Sequence, residues 1–149
     1  DEIARLADDA ALDVVQLHAD PDAATVERVR AATGRAVWAV VRVAGVALPP
    51  HVASLCEVAD AVLLDPKVAG ALGGTGVALD WARLADALAP LRGRAPLVLA
   101  GGLTPDNVAR AARLLAPDVV DVSSGVEASP GVKDAARMRA FVAAVRYPQ

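Results

Sequence analysis

The chain alternates short apolar runs with stretches that are apolar on one side only. Residues 13–18 (DVVQLH) form the first run and predict a strand. The stretch 21–32 carries Ala24, Val26 and Val29 among charges, as an amphipathic helix does, and Gly34 stands where a helix C-cap belongs. Residues 36–43 (AVWAVVRV), rich in β-branched side chains, predict a second strand. Pro49 and Pro50 open a short helix ending near Val58, and residues 61–64 (AVLL) predict a third strand. A Gly-rich loop covers 65–77, after which Asp80 can cap a helix running through Leu91. Residues 96–100 (PLVLA) predict the fourth strand. Thr104-Pro105-Asp106 predicts a helix start, with the threonine accepting from free amides and proline suiting the first helical position. Residues 119–123 predict the fifth strand and 134–146 the last helix, while an opening helix covers roughly residues 2–10.

Five strand–helix repeats with near-continuous apolar strands predict an α/β protein whose parallel sheet is buried on both faces. An open doubly wound sheet and a closed barrel both satisfy that pattern. With 149 residues, 55% of them hydrophobic, the chain has material for one core, so a single domain spanning 1–149 is expected. Aromatics are scarce, so that core must be built from Ala, Val and Leu.

The net charge of −3 and the lack of a basic run argue against a nucleic-acid partner. Charges interrupt every apolar stretch, so no membrane span is expected. The chain opens on Asp1 and Glu2 rather than a basic segment, so no signal peptide is expected and a cytoplasmic location follows. The lone Cys56 has no internal disulfide partner and reads as a small buried residue. His51 starts a helix with no Cys or His near it in sequence, so no metal site is expected.

Every cluster of chemically informative residues follows a strand, the functional end of both architectures. Gly101 and Gly102 permit close backbone approach, and the helix after them offers unpaired amides to an anion. Ser123-Ser124-Gly125 repeats the arrangement one unit later with hydroxyls added. Paired sites after the last two strands form the usual phosphate cradle of a (β/α)₈ barrel, whereas the competing reading is that these glycines only make tight turns. Gly73-Gly74-Thr75-Gly76 is a third element able to close over a ligand; it lacks the Lys-Ser/Thr of a P-loop.

Asp65 ends an apolar strand and should face the mouth of the sheet, where partial desolvation raises its pKa and suits it to general-acid work; a cap or a loop ion pair is the plainer alternative. Asp121 stands between Val120 and Val122 inside a predicted strand. It is either a buried structural partner or a second polar group of the site. His18 reads first as a hydrogen-bonding structural residue and second as a site candidate.

These residues carry a family resemblance. Gln16-Leu17-His18, Leu64-Asp65, Gly73-Gly74-Thr75-Gly76 with Asp80-Trp81, Ala100-Gly101-Gly102-Leu103 with Pro105-x-Asn107-Val108, and Asp121-Val122-Ser123-Ser124-Gly125-Val126-Glu127 with Gly131-x-Lys133-Asp134 fall in one order. Together they resemble phosphoribosylanthranilate isomerase, an enzyme of tryptophan biosynthesis, over nearly the whole chain from about residue 13. The 121–127 segment with its Gly-x-Lys-Asp tail is its most specific part.

The resemblance implies a cofactor-free Amadori rearrangement of N-(5′-phosphoribosyl)anthranilate to the carboxyphenylamino-deoxyribulose phosphate. It makes Asp65 the general acid, with Gly74, Gly76, Gly101, Gly102, Ser124 and Gly125 holding the phosphate. Asp121 becomes a further polar residue of the site, and His18 and Glu127 additional candidates. The family's general base is a cysteine in a Lys-Ile-Cys-Gly motif on the first barrel strand, and this chain has no such motif. By counting, its strands match the fourth to eighth of the barrel. The expected fold is therefore a (β/α)₈ barrel represented by about five C-terminal units, inactive alone, with a complementing N-terminal segment or a homodimer as partner. The family's usual glycine after Gln-Leu-His is Ala19 here. Two other readings stand beside it: a related phosphate-binding barrel enzyme such as indole-glycerol-phosphate synthase, which leans on lysines in the mouth, and a non-catalytic phosphate-binding fragment.

Overall fold

A computed structural model describes residues 2–45, 47–66 and 81–146 of the chain. Helix α1 (Glu2–Asp9) precedes β1 (Val14–Leu17), α2 (Ala23–Thr33), β2 (Ala36–Val43), α3 (Val52–Val58) and β3 (Ala61–Pro66). There follow α4 (Trp81–Leu88), a 3-10 turn (Ala89–Leu91), β4 (Leu97–Leu99), α5 (Val108–Leu115) and β5 (Val119–Val120). The chain continues through a 3-10 turn (Ser124–Val126), β6 (Glu127–Ser129), β7 (Val132–Lys133) and α6 (Ala135–Arg146).

The five main strands are all parallel and stand in the order β1-β2-β3-β4-β5. A doubly wound sheet reverses its order at a switch point and carries helices on both faces. Here the order never reverses, and the helices share one face. Val26 of α2, Leu55 of α3, Leu84 of α4 and Val108 of α5 belong to one core with Val37, Ala39, Val41 and Val43 of β2, Val62 and Leu64 of β3, and Leu99 of β4. These strand residues alternate along the chain, as side chains on one face of a pleat must. The intervening Val40, Ala61, Leu63, Val98 and Ala100, with Trp38 against them, form a separate cluster on the other face. Strand order and one-sided helices thus decide what apolar patterning left open, in favour of barrel-type winding.

Local chemistry explains several element ends. Asp22 accepts from the Thr25 amide (2.8 Å) at the start of α2, and Gly34, at φ 65°, donates its amide to the Arg30 carbonyl to end it, as the glycine's position predicted. Asp60 and Asp118, each just ahead of a strand, accept from the Val37 and Leu97 amides (both 2.7 Å) and stitch the N-terminal ends of the sheet.

Two expectations need correction, and one element was not expected. The helix expected to start at Thr104-Pro105 starts at Val108. Asn107 supplies the reason: its side-chain oxygen accepts from the Thr104 amide (2.8 Å), closing a turn that delays the helix. The fifth strand is Val119–Val120 rather than 119–123, because the chain swings away into the Ser124–Val126 turn. The antiparallel β6–β7 pair was not expected. Pro130-Gly131 makes its turn, with Gly131 at φ 80°. The expected Gly-rich loop sites at Gly73, Gly74, Thr75 and Gly76 lie outside the described residues.

Candidate functional site

Side-chain alternation assembles the site. Val15 and Leu17 pack on the helix-side core, so Gln16, and His18 just past the strand, face the opposite way. By the same alternation Arg42 on β2, Asp65 on β3 and Asp121 just after β5 point to that opposite face, since Val41, Leu64, Val120 and Val122 take the helix side. Register places them side by side at the strand C-termini: Arg42 pairs with Asp65, and the Asp121 amide donates to the Leu99 carbonyl (2.9 Å). There a cavity of about 440 Å³ is lined by His18, Asp65, Gly101, Gly102, Asp121, Ser124 and Gly125, among others. Seven of the residues singled out from sequence therefore meet in one place.

Asp65 is half-buried, and burial is what chiefly raises its carboxyl pKa. The Asp121 charge adds to the rise, while His18 and Arg42 oppose it. Asp121 itself is exposed. It stands beyond the short β5, so the burial that would have demanded a structural partner is not there. His18 is both hydrogen-bonded and in the cavity: its Nε2 lies 2.8 Å from the Gln16 amide nitrogen.

After His18 the chain makes a strained turn, with Ala19 at φ 68° and Asp20 at φ 52°. Asp20 uses that turn to reach Arg42. It accepts from the Arg42 amide (2.7 Å) and from Nε (2.8 Å), and pairs with Nη2 at 2.8 Å. Burial pushes the Asp20 carboxyl up, but Arg42's hydrogen bonds and charge outweigh it and hold the group below the usual carboxylate range.

Two loops close the far side. Gly101 (φ 79°) and Gly102 (φ 65°) both adopt the left-handed conformation, which explains the glycine pair. Asn107 fastens this loop by donating to the Gly102 carbonyl (2.9 Å). Gly125 lies hard against it: a Cβ there would meet the Leu103 carbonyl oxygen at 1.8 Å. The glycine of Ser-Ser-Gly is thus needed for one loop to lie on the other.

Glu127 does not line the cavity. Its carboxylate pairs with Lys133 (2.7 Å) and accepts from the Gly131 amide (3.2 Å), which together hold it below its ordinary pKa. Cys56 is buried in α3 and lines a second cavity with Pro96, Leu97 and Asp118 at the opposite ends of the strands. Burial pushes its thiol pKa up. Sequence reasoning passed over Arg42, although counting by twos from Trp38 and Val40 puts it on the site face. Asn107 and Lys133 stand in the sequence motifs, but nothing in the sequence signals that each fastens a loop. Among the described residues no group of three or more His, Cys, Asp or Glu could hold a metal ion, and no helix is long and apolar enough to cross a membrane.

A parallel sheet wound in one direction, with helices on one face and loops gathered at the strand C-termini, defines the (β/α)-barrel class. The sequence profile of N-(5′-phosphoribosyl)anthranilate isomerase matches residues 1–144. An isomerase of that name from Pseudomonas fluorescens is 41% identical over 97% of this chain and 67% of its own length. Among solved structures, monomers generated from the dimeric Thermotoga maritima isomerase give a TM-score of 0.77 at 32% identity, covering 97% of this chain and 66% of that one. A phosphoribosyl anthranilate isomerase in complex with reduced 1-(o-carboxyphenylamino)-1-deoxyribulose 5-phosphate gives 0.73 at 30% identity, covering 97% of this chain and 65% of that one. The chain belongs to the N-(5′-phosphoribosyl)anthranilate isomerase family. It spans 38% to 67% of the length of the curated relatives it matches.

Proposed function

We propose that this chain supplies the proton donor and the phosphate cradle of an N-(5′-phosphoribosyl)anthranilate isomerase, its five strands being the fourth to eighth of a (β/α)₈ barrel. The observation that carries this reading is the convergence of a half-buried carboxyl, Asp65, and two Gly/Ser loops on one cavity. Opening the furanose ring requires a proton on the ring oxygen. An Asp whose pKa is raised by burial keeps that proton to higher pH than an exposed one. The substrate phosphate would lie between Gly101-Gly102 and Ser124-Gly125, where backbone amides and a hydroxyl can meet an anion. Those contacts hold the sugar in place while the ring opens. A base must then take the C2 proton.

No residue of this chain is assigned as that base. Cys56 sits at the wrong end of the strands with its thiolate disfavoured. The base is expected from the Lys-Ile-Cys-Gly region of the family, on a further segment that completes the barrel. The surface supports this. The exposed large hydrophobics of the described residues are Ile3, Leu6, Leu12, Val119, Val132, Met138 and Val142. All lie ahead of β1 or from β5 onward, at the two open edges of the sheet, and none lies on α2 to α5. Apolar side chains gathered at both edges are what a segment of βα units closing the sheet would cover. The synthase alternative is disfavoured because Lys133 is spent on Glu127 and Ser123 rather than facing the cavity.

The test is complementation. The chain is mixed with a polypeptide carrying the three N-terminal βα units of a family member, and conversion of N-(5′-phosphoribosyl)anthranilate is followed chromatographically. Turnover is expected from the mixture, none from either part, and none when Asp65→Asn replaces the wild-type chain. Turnover by the purified chain alone at neutral pH, or an undiminished rate with Asp65→Asn, overturns the assignment.

A further inference from the structure

Among the described residues that line the cavity there is no lysine or arginine. The donors that these residues offer a phosphoryl group are uncharged, so how they are aimed bears on affinity. Lys133 lies behind the wall rather than in it. Its ammonium is 3.0 Å from the Ser123 carbonyl oxygen, 3.2 Å from the Ser123 hydroxyl oxygen and 2.7 Å from a Glu127 carboxylate oxygen. Three donors meet three acceptors.

An ammonium can only donate, so Ser123 Oγ is the acceptor of its bond. A hydroxyl that accepts from a cation keeps its own proton to give. Ser123 lines the cavity, and Lys133 and Glu127 do not. We propose that Lys133, steadied by Glu127, is a positioning residue that turns the Ser123 hydroxyl into a donor to the bound phosphoryl group.

The scaffold is built for this. The β6–β7 pair returns the chain so that Lys133 comes back beside Glu127. The Asp134 amide donates to the Val126 carbonyl (2.8 Å), and the Arg137 guanidinium donates to the Glu127 carbonyl, tying the pair to the start of α6. On its other side the segment is gripped where Gly125 meets Leu103. The Lys133–Glu127 pair leaves the lysine side chain 43% and the glutamate side chain 15% exposed, and a pair whose cation stays in solvent contributes only about 1 kcal/mol or less to stability. Its effect is read in binding.

This inference rests on the phosphate-cradle reading, and one titration separates the two. Inorganic phosphate is added to the chain and the amide resonances of Gly102, Ser124 and Gly125 are followed by NMR. Wild type is compared with Lys133→Met, Ser123→Ala, the double variant and Lys133→Arg. Loss of one hydrogen bond to a charged ligand is expected to weaken phosphate binding about tenfold in each of the first two. Because Lys133 acts through Ser123, the double variant should bind within about twofold of Ser123→Ala, and the arginine variant should recover most of the loss. Multiplying losses in the double variant would make Lys133 an independent charge and overturn the proposal. Ser123→Ala binding within about twofold of wild type overturns it even if the Lys133 variants fail to fold. If wild type shows no phosphate-dependent shifts at these amides, the cradle reading falls first and this inference with it.

Discussion

Replacing Gly125 with alanine tests the junction of the two loops most directly. The added Cβ would sit 1.8 Å from the Leu103 carbonyl oxygen, 2.9 Å from its carbon and 3.3 Å from Thr104 Cα. A real Cβ needs more than 3 Å from a carbonyl oxygen, so the loops must part by well over 1 Å. All three obstructing atoms are backbone, and the neighbouring Gly102–Asn107 turn is fastened by two Asn107 hydrogen bonds, so no flexible side chain can swing aside. Overpacking of this kind costs about 1–3 kcal/mol and sometimes more, and with backbone on both sides the upper value, about 3 kcal/mol, is the one to expect. At about 2.1 cal/mol/K of unfolding entropy per residue, that corresponds to a fall in Tm of about 10 °C for a domain of this size. If the loops separate instead of straining, stability is spared but the donors proposed to hold phosphate are displaced by an ångström or more, and phosphate affinity should fall at least tenfold. Thermal unfolding by circular dichroism and phosphate titration on the same sample capture both routes. Gly125→Ala with Tm within about 2 °C of wild type and affinity within twofold would show that the loops do not touch as described.

Ala19→Gly should stabilise the chain by about 0.5–1 kcal/mol in urea unfolding, because relief of a left-handed alanine, about 1–2 kcal/mol, exceeds the added chain entropy of glycine; an unchanged or lower midpoint counts against the strained turn. Asp20→Asn weakens the grip on Arg42. Since the Asp20 pKa is lowered by folding, its stabilisation is present above the ordinary value of 3.8 and lost as pH falls through the folded value. The variant should therefore be less stable by about 1 kcal/mol at pH 7 and indistinguishable from wild type in strong acid, as pH-dependent unfolding would show. Asp65→Asn has the opposite sign. The folded pKa of Asp65 is raised, so protonated Asp65 contributes fully below the unfolded value and that contribution is lost as pH rises through the folded one. The variant should match wild type in acid and unfold at higher temperature at neutral pH, and a neutral-pH loss of stability would contradict the burial argument.

Much of this architecture was legible because it is written in apolar runs. Residues 36–43 are a strand both by pattern and in the structure, and the Gly34 cap falls where the helix pattern stops. The signals that failed are those in which a side chain competes with the backbone. Thr104-Pro105 has the composition of a helix start, yet the Asn107 amide group claims the same backbone and moves the helix to Val108. Val119–Ser123 looks like a strand because Val122 is apolar, but Val122 packs on the helix-side core from a segment already leaving the sheet. The loop glycines were found, whereas the reason for Gly125 was invisible, since its obstacle lies some twenty residues away in sequence.

The charges at the mouth tie the strained turn to Asp65. Arg42 is the register neighbour of Asp65 on the adjacent strand. Left free, its guanidinium would be the natural counter-ion for Asp65 and would draw that carboxyl pKa down, as Arg42 does for Asp20. Asp20 prevents this by taking Arg42 through its amide, Nε and Nη2 at once, and it can do so only because Ala19 and Asp20 adopt left-handed backbone. What Arg42 still exerts on Asp65 is the smallest of four influences, while burial comes first. Burial raises the Asp65 pKa with little opposition from Arg42, which is committed to Asp20, and the conformational strain at Ala19-Asp20 is the cost of that commitment. A glycine at 19 would lower the cost without altering the commitment, whereas any change at 20 that frees Arg42 should draw the Asp65 pKa down.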